Sequence, residues 1–153
     1  MSTVLLNRGF LWLWVGQLLS QLADRIFIYT LMIMAYSLTG TLQGVSVPML
    51  AFGIPSVLFG SIAGVFVDRW DRKTILVVSD FLRGLLLLIP FLRPGNSLLE
   101  LFFVAFVVYT ITQFFAPAES ASIPDVVPAR DLLAANSMFL VTWMLANVIG
   151  FGL

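Results

Sequence analysis

Five long apolar stretches, separated by short polar breaks, make up nearly the whole chain. They cover about 10–37, 45–67, 75–92, 98–115 and 136–153. Each is near the ~20 residues that a helix needs to cross a bilayer. The breaks carry turn chemistry: "LTGTLQG", "DRWDRK", "RPGNS" and the longer "PAESASIPDVVPARD". Helices are the expected elements, because an open strand cannot satisfy its backbone in lipid. A β-barrel would alternate apolar and polar residues over short segments, and these stretches are continuously apolar. The pattern predicts an all-α integral membrane protein with about five transmembrane helices in one bundle over residues 1–153.

Composition agrees with the bilayer as solvent. Of the 153 residues, 60% are hydrophobic and 10% charged, against roughly 25% charged in a soluble domain. Mean hydropathy is +1.03. Net charge is zero, so no basic surface points to nucleic acid. The chain has no cysteine and no histidine. Disulfides, thiolate chemistry and the commonest general base and metal ligand are therefore absent. With no His-Glu-x-x-His and no serine elbow either, an enzyme is not expected. No cofactor is expected. The apolar pattern after Arg8 continues through "RIFIYTLMIMAYSL", far past the short core of a signal peptide.

Loop charge sets an expected orientation. If the helices alternate, Arg8, Arg69, Arg72, Lys73 and Arg130 fall on one side and Arg93 on the other. The positive-inside rule then puts the N-terminus and the loops 68–73 and 117–131 in the cytoplasm. The chain stops inside an apolar stretch, at "ANVIGFGL". That end reads as a fragment of a longer protein or a truncated reading frame.

Charge inside the apolar stretches is costly. Asp24 and Arg25 lie near the middle of the first, where each costs roughly 2.5–3.5 kcal/mol on insertion scales. Gln17, Ser20, Gln21 and Asp24 recur at i, i+3, i+4 and i+7, which makes one polar stripe with Arg25 at its edge. Two readings are open. The stripe lines a transport pathway, with Asp24 as a proton or cationic-substrate site, or Asp24 and Arg25 are structural and bonded to another helix. Asp80 and Arg83, at i and i+3, can pair within their own helix, and a local salt bridge near the membrane interface is the expectation. Gly53, Ser56, Gly60 and Gly64 form a ridge of small residues that permits close helix packing, and Ala146 and Gly150 repeat the theme.

The break between the second and third stretches packs three basic and two acidic residues into Asp68–Lys73. Orientation accounts for the basic ones. Asp68 stands against the negative end of its own helix dipole, so it calls for a partner. Asp71 is placed to cap the next helix.

Gly64, Asp68, Arg69, Arg72 and Lys73 resemble the cytoplasmic loop signature of the major facilitator superfamily, Gly-x-x-x-Asp-Arg-x-Gly-Arg-Lys. Asp71 replaces its glycine, as in the branch of bacterial exporters similar to enterobactin exporters and macrolide-efflux proteins. "WVGQLLSQLADRIF", "YSLTG", "FFAPAESASIPDVVP" and "LLAANS" fit the same branch. The resemblance implies a multi-pass protein of the bacterial inner membrane, with two six-helix bundles around a central cavity that rock to alternate access. This chain would supply helices one to five of the first bundle, and a C-terminal half would complete the transporter. The implied activity is proton-coupled export of small amphipathic compounds, of drug or siderophore type. Gln17, Gln21, Asp24 and Arg25 would serve the pathway. Gly64, Asp68, Arg69, Arg72 and Lys73 would form a conformational latch against the second bundle. Two departures stand out: "FVVYTITQFFAPA" carries no arginine, and Phe151 occupies a position where the family usually has proline. A transport-inactive fragment and a lysophospholipid transporter are the alternative readings.

Overall fold

The computed structural model describes residues 7–92 and 97–151, without side-chain detail at Phe91, Gly150 and Phe151. Arg93 and the last two residues, Gly152 and Leu153, lie outside the described residues. Five α-helices follow in order: α1 (Arg8–Thr39), α2 (Leu42–Val67), α3 (Arg72–Leu92), α4 (Leu98–Val126) and α5 (Leu132–Phe151). A short 3₁₀ turn, Ala129–Asp131, precedes α5. There is no strand among the described residues. α1, α2, α4 and the stretch Ala129–Ile149 are long and apolar enough to cross a membrane. α3 has 21 residues and carries Arg72, Lys73, Asp80 and Arg83 in its N-terminal part.

Helix ends are set by specific caps. Asn7 Oδ1 accepts the N–H groups of Gly9 (2.9 Å) and Phe10 (3.3 Å) at the start of α1. Thr41 Oγ1 accepts the Gly44 N–H at 3.2 Å to start α2. Ser97 Oγ accepts the Glu100 N–H at 3.2 Å to start α4. Each side chain satisfies a donor that the first turn leaves open. Between α1 and α2 the chain turns through Gly40, whose φ of +64° is the left-handed conformation that ends many helices.

α4 corrects the helix end read from hydropathy. The apolar stretch ends near Phe115, yet the helix runs on to Val126 through "APAESASIPDV". Its 29 residues span about 43 Å at 1.5 Å per residue, against about 30 Å for a hydrocarbon core. Hydropathy marks where a helix leaves lipid, not where its backbone ladder stops. Its polar side chains fold back on its own carbonyls: Thr110 donates to Phe106 O (2.8 Å), Thr112 to Val108 O (2.9 Å) and Ser120 to Ala116 O (3.1 Å). These bonds let hydroxyls sit in an apolar helix without open donors.

The described residues form two compact units. One gathers the chain up to Tyr29 with the chain from Ala121 onward, and the other is Thr30–Ser120. In the first, Phe10, Ile123, Val127, Ala135, Met138 and Phe139 make a buried cluster. The Phe10 and Phe139 rings lie 5.8 Å apart. Asn7 Nδ2 also donates to Val126 O, so one side chain caps α1 and satisfies the end of α4. In the second unit, α2 buries Gly44, Pro48, Ala51, Pro55, Ala63 and Val67. Gly44, Pro48, Ala51 and Pro55 lie on a different side from the Gly53–Ser56–Gly60–Gly64 ridge, whereas Ala63 and Val67 border it. An added Cβ at Gly53 or Gly64 would meet nothing within 4 Å, and at Gly60 only Gln113 Oε1 at 3.7 Å. The ridge expected to pack closely is therefore open among the described residues. α2 packs through Gly44, Pro48, Ala51 and Pro55 in its first half and through Ala63 and Val67 near its C-terminal end.

Candidate functional site

In the first unit, the predicted stripe sits on α1. Gln17 is only 5% exposed. Gln21, Asp24 and Arg25 are half-buried. Gln17 Oε1, Gln21 Oε1 and Arg25 Nε are buried and have no hydrogen-bond partner among the described residues. They recur every four residues, so two acceptors and one donor lie along one side of the helix. Such atoms are rare in folded proteins, because an unpaired buried polar group costs about 1–3 kcal/mol. The Arg25 guanidinium carbon lies 6.0 Å from the centre of the Trp143 ring on α5, at the outer limit of a cation–π contact. Nearby, Trp14 Nε1 donates to Thr142 Oγ1 at 2.9 Å, and Thr142 donates in turn to Met138 O at 2.8 Å. α1 and α5 are thus joined by one interhelical hydrogen bond beside the Arg25 contact.

In the second unit, the chain between α2 and α3 takes a tight turn. The Asp68 N–H donates to Gly64 O at 3.1 Å and the Arg69 N–H to Phe66 O at 3.0 Å. Asp68 caps the C-terminus of α2. It is exposed, and its carboxylate has no ion pair among the described residues. Asp71 caps α3: its Oδ2 accepts the Thr74 N–H at 2.8 Å and the Thr74 hydroxyl at 2.6 Å. These two bonds hold its carboxyl below the usual carboxylate range. The aspartate that replaces the usual loop glycine therefore has a structural use of its own. Val67, Ile75 and Ala118 form a buried cluster with Leu76 and Phe114, which fixes the turn against α4.

Asp80 and Arg83 pair as their spacing allows. The pair is not a simple interfacial bridge. Arg83 is 3% exposed, while the Asp80 side chain is 42% exposed. Arg83 Nη1 also donates to Thr112 Oγ1 on α4 at 3.4 Å. Its guanidinium lies 4.3 Å from the centre of the Phe115 ring. One cation therefore engages a carboxylate, a hydroxyl and an aromatic face on two helices. The spacing of Asp80 and Arg83 suggested only the intrahelical half. Thr112 and Phe115, one turn apart on α4, were not singled out in sequence, because nothing along the chain says which helix faces α3.

The predicted residues thus fall in two separate groups. Gln17, Gln21, Asp24 and Arg25 belong to the first unit. Gly64, Asp68, Arg69, Arg72, Lys73, Asp80 and Arg83 belong to the second. Trp14, Thr142 and Trp143 join the first group, and Thr112 and Phe115 the second. No group of His, Cys, Asp or Glu that could hold a metal ion occurs among the described residues.

Comparison with known proteins gives a consistent picture. The family model of the Major Facilitator Superfamily matches residues 13–153. The uncharacterized MFS-type transporter YfiS of Bacillus subtilis is 26% identical over 86% of this chain, which covers 31% of YfiS. The macrolide efflux protein A of Streptococcus pyogenes is 29% identical over 78% of this chain and 30% of its own length. The uncharacterized MFS-type transporter YkuC of Bacillus subtilis is 29% identical over 68% of this chain and 24% of its own length. The chain thus spans about a third or less of the curated relatives compared. No solved structure matches it significantly.

Proposed function

The chain belongs to the Major Facilitator Superfamily, and from that premise we propose that it forms the first helices of a small-molecule exporter that works by alternating access. Its relatives include an efflux-type protein, and its helices are those of a multi-pass membrane protein. The observation that carries the reading is the α1 stripe. Gln17, Gln21 and Arg25 keep polar atoms buried and open, as expected of a wall that meets water or substrate. Asp24 is the ionisable group on that stripe, and we assign it the proton or cationic-substrate role.

The α2–α3 turn is the proposed latch. Asp68 sits where its own helix dipole disfavours it. A partner on a second bundle would relieve that, and the open Gly53–Gly64 ridge beside it offers a close-packing surface. Arg69, Arg72 and Lys73 supply the cationic side of the same turn and anchor it on the cytoplasmic face. The relatives are about three times as long as this chain, and in this reading a second bundle of that kind completes the pathway.

The test is efflux of a fluorescent amphipathic dye from vesicles holding the full-length parent protein. Asp24→Asn is expected to lower proton-driven efflux at least about tenfold, the scale on which positioned proton-transfer groups act. Undiminished, still proton-coupled efflux would remove Asp24 from the mechanism. A parent that moves no substrate under any gradient would remove the export reading itself.

A further inference from the structure

A groove between α3 and α4 carries an inference that does not depend on transport. It is a cavity of about 560 Å³ in the second unit. Val78 and Leu82 of α3 and Ile111 and Phe114 of α4 line it, and Arg69 and Trp70 line it from the turn that precedes α3. From Thr74 to Leu82 the groove follows α3 for about 12 Å. We propose that it binds an anionic glycerophospholipid, with the phosphate on the Arg69 guanidinium and an acyl chain laid between α3 and α4.

Three observations support this occupant. The groove has a polarity gradient like that of a phospholipid: a cation and an indole at one end, aliphatic and aromatic walls beyond. Arg69 is exposed and makes no ion pair among the described residues, so its charge is available. Trp70 is 57% exposed and is braced by the Phe66 ring at 5.6 Å. An amphipathic ring held there matches the headgroup level of a bilayer.

The acid in the same turn does not compete for Arg69. The Asp71 carboxylate is committed to the Thr74 N–H and hydroxyl. A protein segment laid in the groove would have to supply both an acid and an apolar strip in register. A phospholipid carries both in one molecule, and basic residues beside a spanning helix favour anionic headgroups.

Brominated lipids that quench tryptophan fluorescence test the assignment on the full chain in phosphatidylcholine vesicles. The Trp70 signal is the difference between wild type and Trp70→Phe. Brominated phosphatidylglycerol is expected to reach half-maximal quenching of Trp70 at about a fivefold lower mole fraction than brominated phosphatidylcholine, the preference that one basic residue supports. Arg69→Gln should bring the ratio to about one at unchanged circular-dichroism helicity, and Arg69→Lys should retain it, since one basic residue still faces the headgroup. Equal quenching of wild type by both lipids would overturn the proposal. So would no quenching by either, which would mean that protein covers the groove. A preference kept in Arg69→Gln would move the phosphate to Arg72 or Lys73 and overturn the Arg69 assignment.

Discussion

Arg25 and Arg83 are the same residue in the same kind of place, an apolar helix, and the chain treats them differently. Arg83 has a carboxylate, a hydroxyl and an aromatic face around it. Arg25 has one distant ring among the described residues. Arg83 Nε is likewise a buried atom without a hydrogen-bond partner among the described residues, so the two arginines differ in how many groups surround them. Arg83 ties two helices as a clamp, because moving either one breaks several contacts at once. The contrast lies in the surroundings: a carboxylate, a hydroxyl and a ring at Arg83, and one ring at Arg25 among the described residues.

The largest expected effect falls on the clamp. Arg83→Ala should destabilise the chain by about 2 kcal/mol, because it removes a buried side chain together with its hydrogen bond to Thr112 and its contact with Phe115 on α4. Arg83→Lys should lose less, since it keeps the charge but not the planar fork that both bonds and stacks. Both are read by unfolding in mixed micelles of rising dodecyl sulfate fraction, followed by helicity. If Arg83→Ala costs no more than Arg25→Ala, the distinction between the two arginines fails.

Next comes the bond that joins α1 to α5 beside Arg25. Thr142→Val removes the acceptor of the Trp14 indole and should cost about 0.6 kcal/mol, the mean for interhelical hydrogen bonds in membranes. The same unfolding titration reads it, and Thr142→Ser should restore the loss. Arg25→Gln should cost still less, about 0.5 kcal/mol or under, because its aromatic contact is at the limit of range. A loss of several kcal/mol there would make Arg25 a second clamp.

The smallest effect belongs to the Asp71 cap, which is exposed. Its carboxyl is held below its ordinary pKa of 3.8 by Thr74. The ionised form is therefore favoured in the folded chain. Its contribution to stability is present above pH 3.8, fades as pH falls through the lowered folded value, and is gone below both. Asp71→Asn should keep much of the cap and flatten that part of the acid limb. An unchanged acid limb in Asp71→Asn would show that the cap is not titrating there.

Much of this was legible along the chain. Helices were readable because lipid leaves the backbone no other partner, and a run of apolar residues therefore has one regular solution. The α1 stripe was readable because Gln17, Gln21 and Asp24 keep helical spacing, and a period needs no knowledge of neighbours. Asp71 as a cap was readable because its partner, Thr74, is three residues away. Helix ends were less so. α4 continues to Val126 through residues that hydropathy treats as a loop, since serine and glutamate can stay helical once outside lipid. Which side of α2 packs within this chain was not readable from spacing, because small residues recur around the helix and Gly53, Gly60 and Gly64 are open among the described residues.

What the sequence determined by itself is whatever depends on neighbours in the chain: the helices, the polar stripe, the cap at Asp71, the Asp80–Arg83 pair and the charged turn with its family signature. Only the tertiary structure decided that Arg83 reaches Thr112 and Phe115 while Arg25 meets, among the described residues, Trp143 at a distance. It also decided that Arg69 and Trp70 line a groove. The physical reason is that local bonds follow the helical repeat, whereas the partners of a buried charge depend on which helix packs alongside. In lipid that choice is made by small residues, hydroxyls and rings whose one-dimensional pattern is the same on several faces.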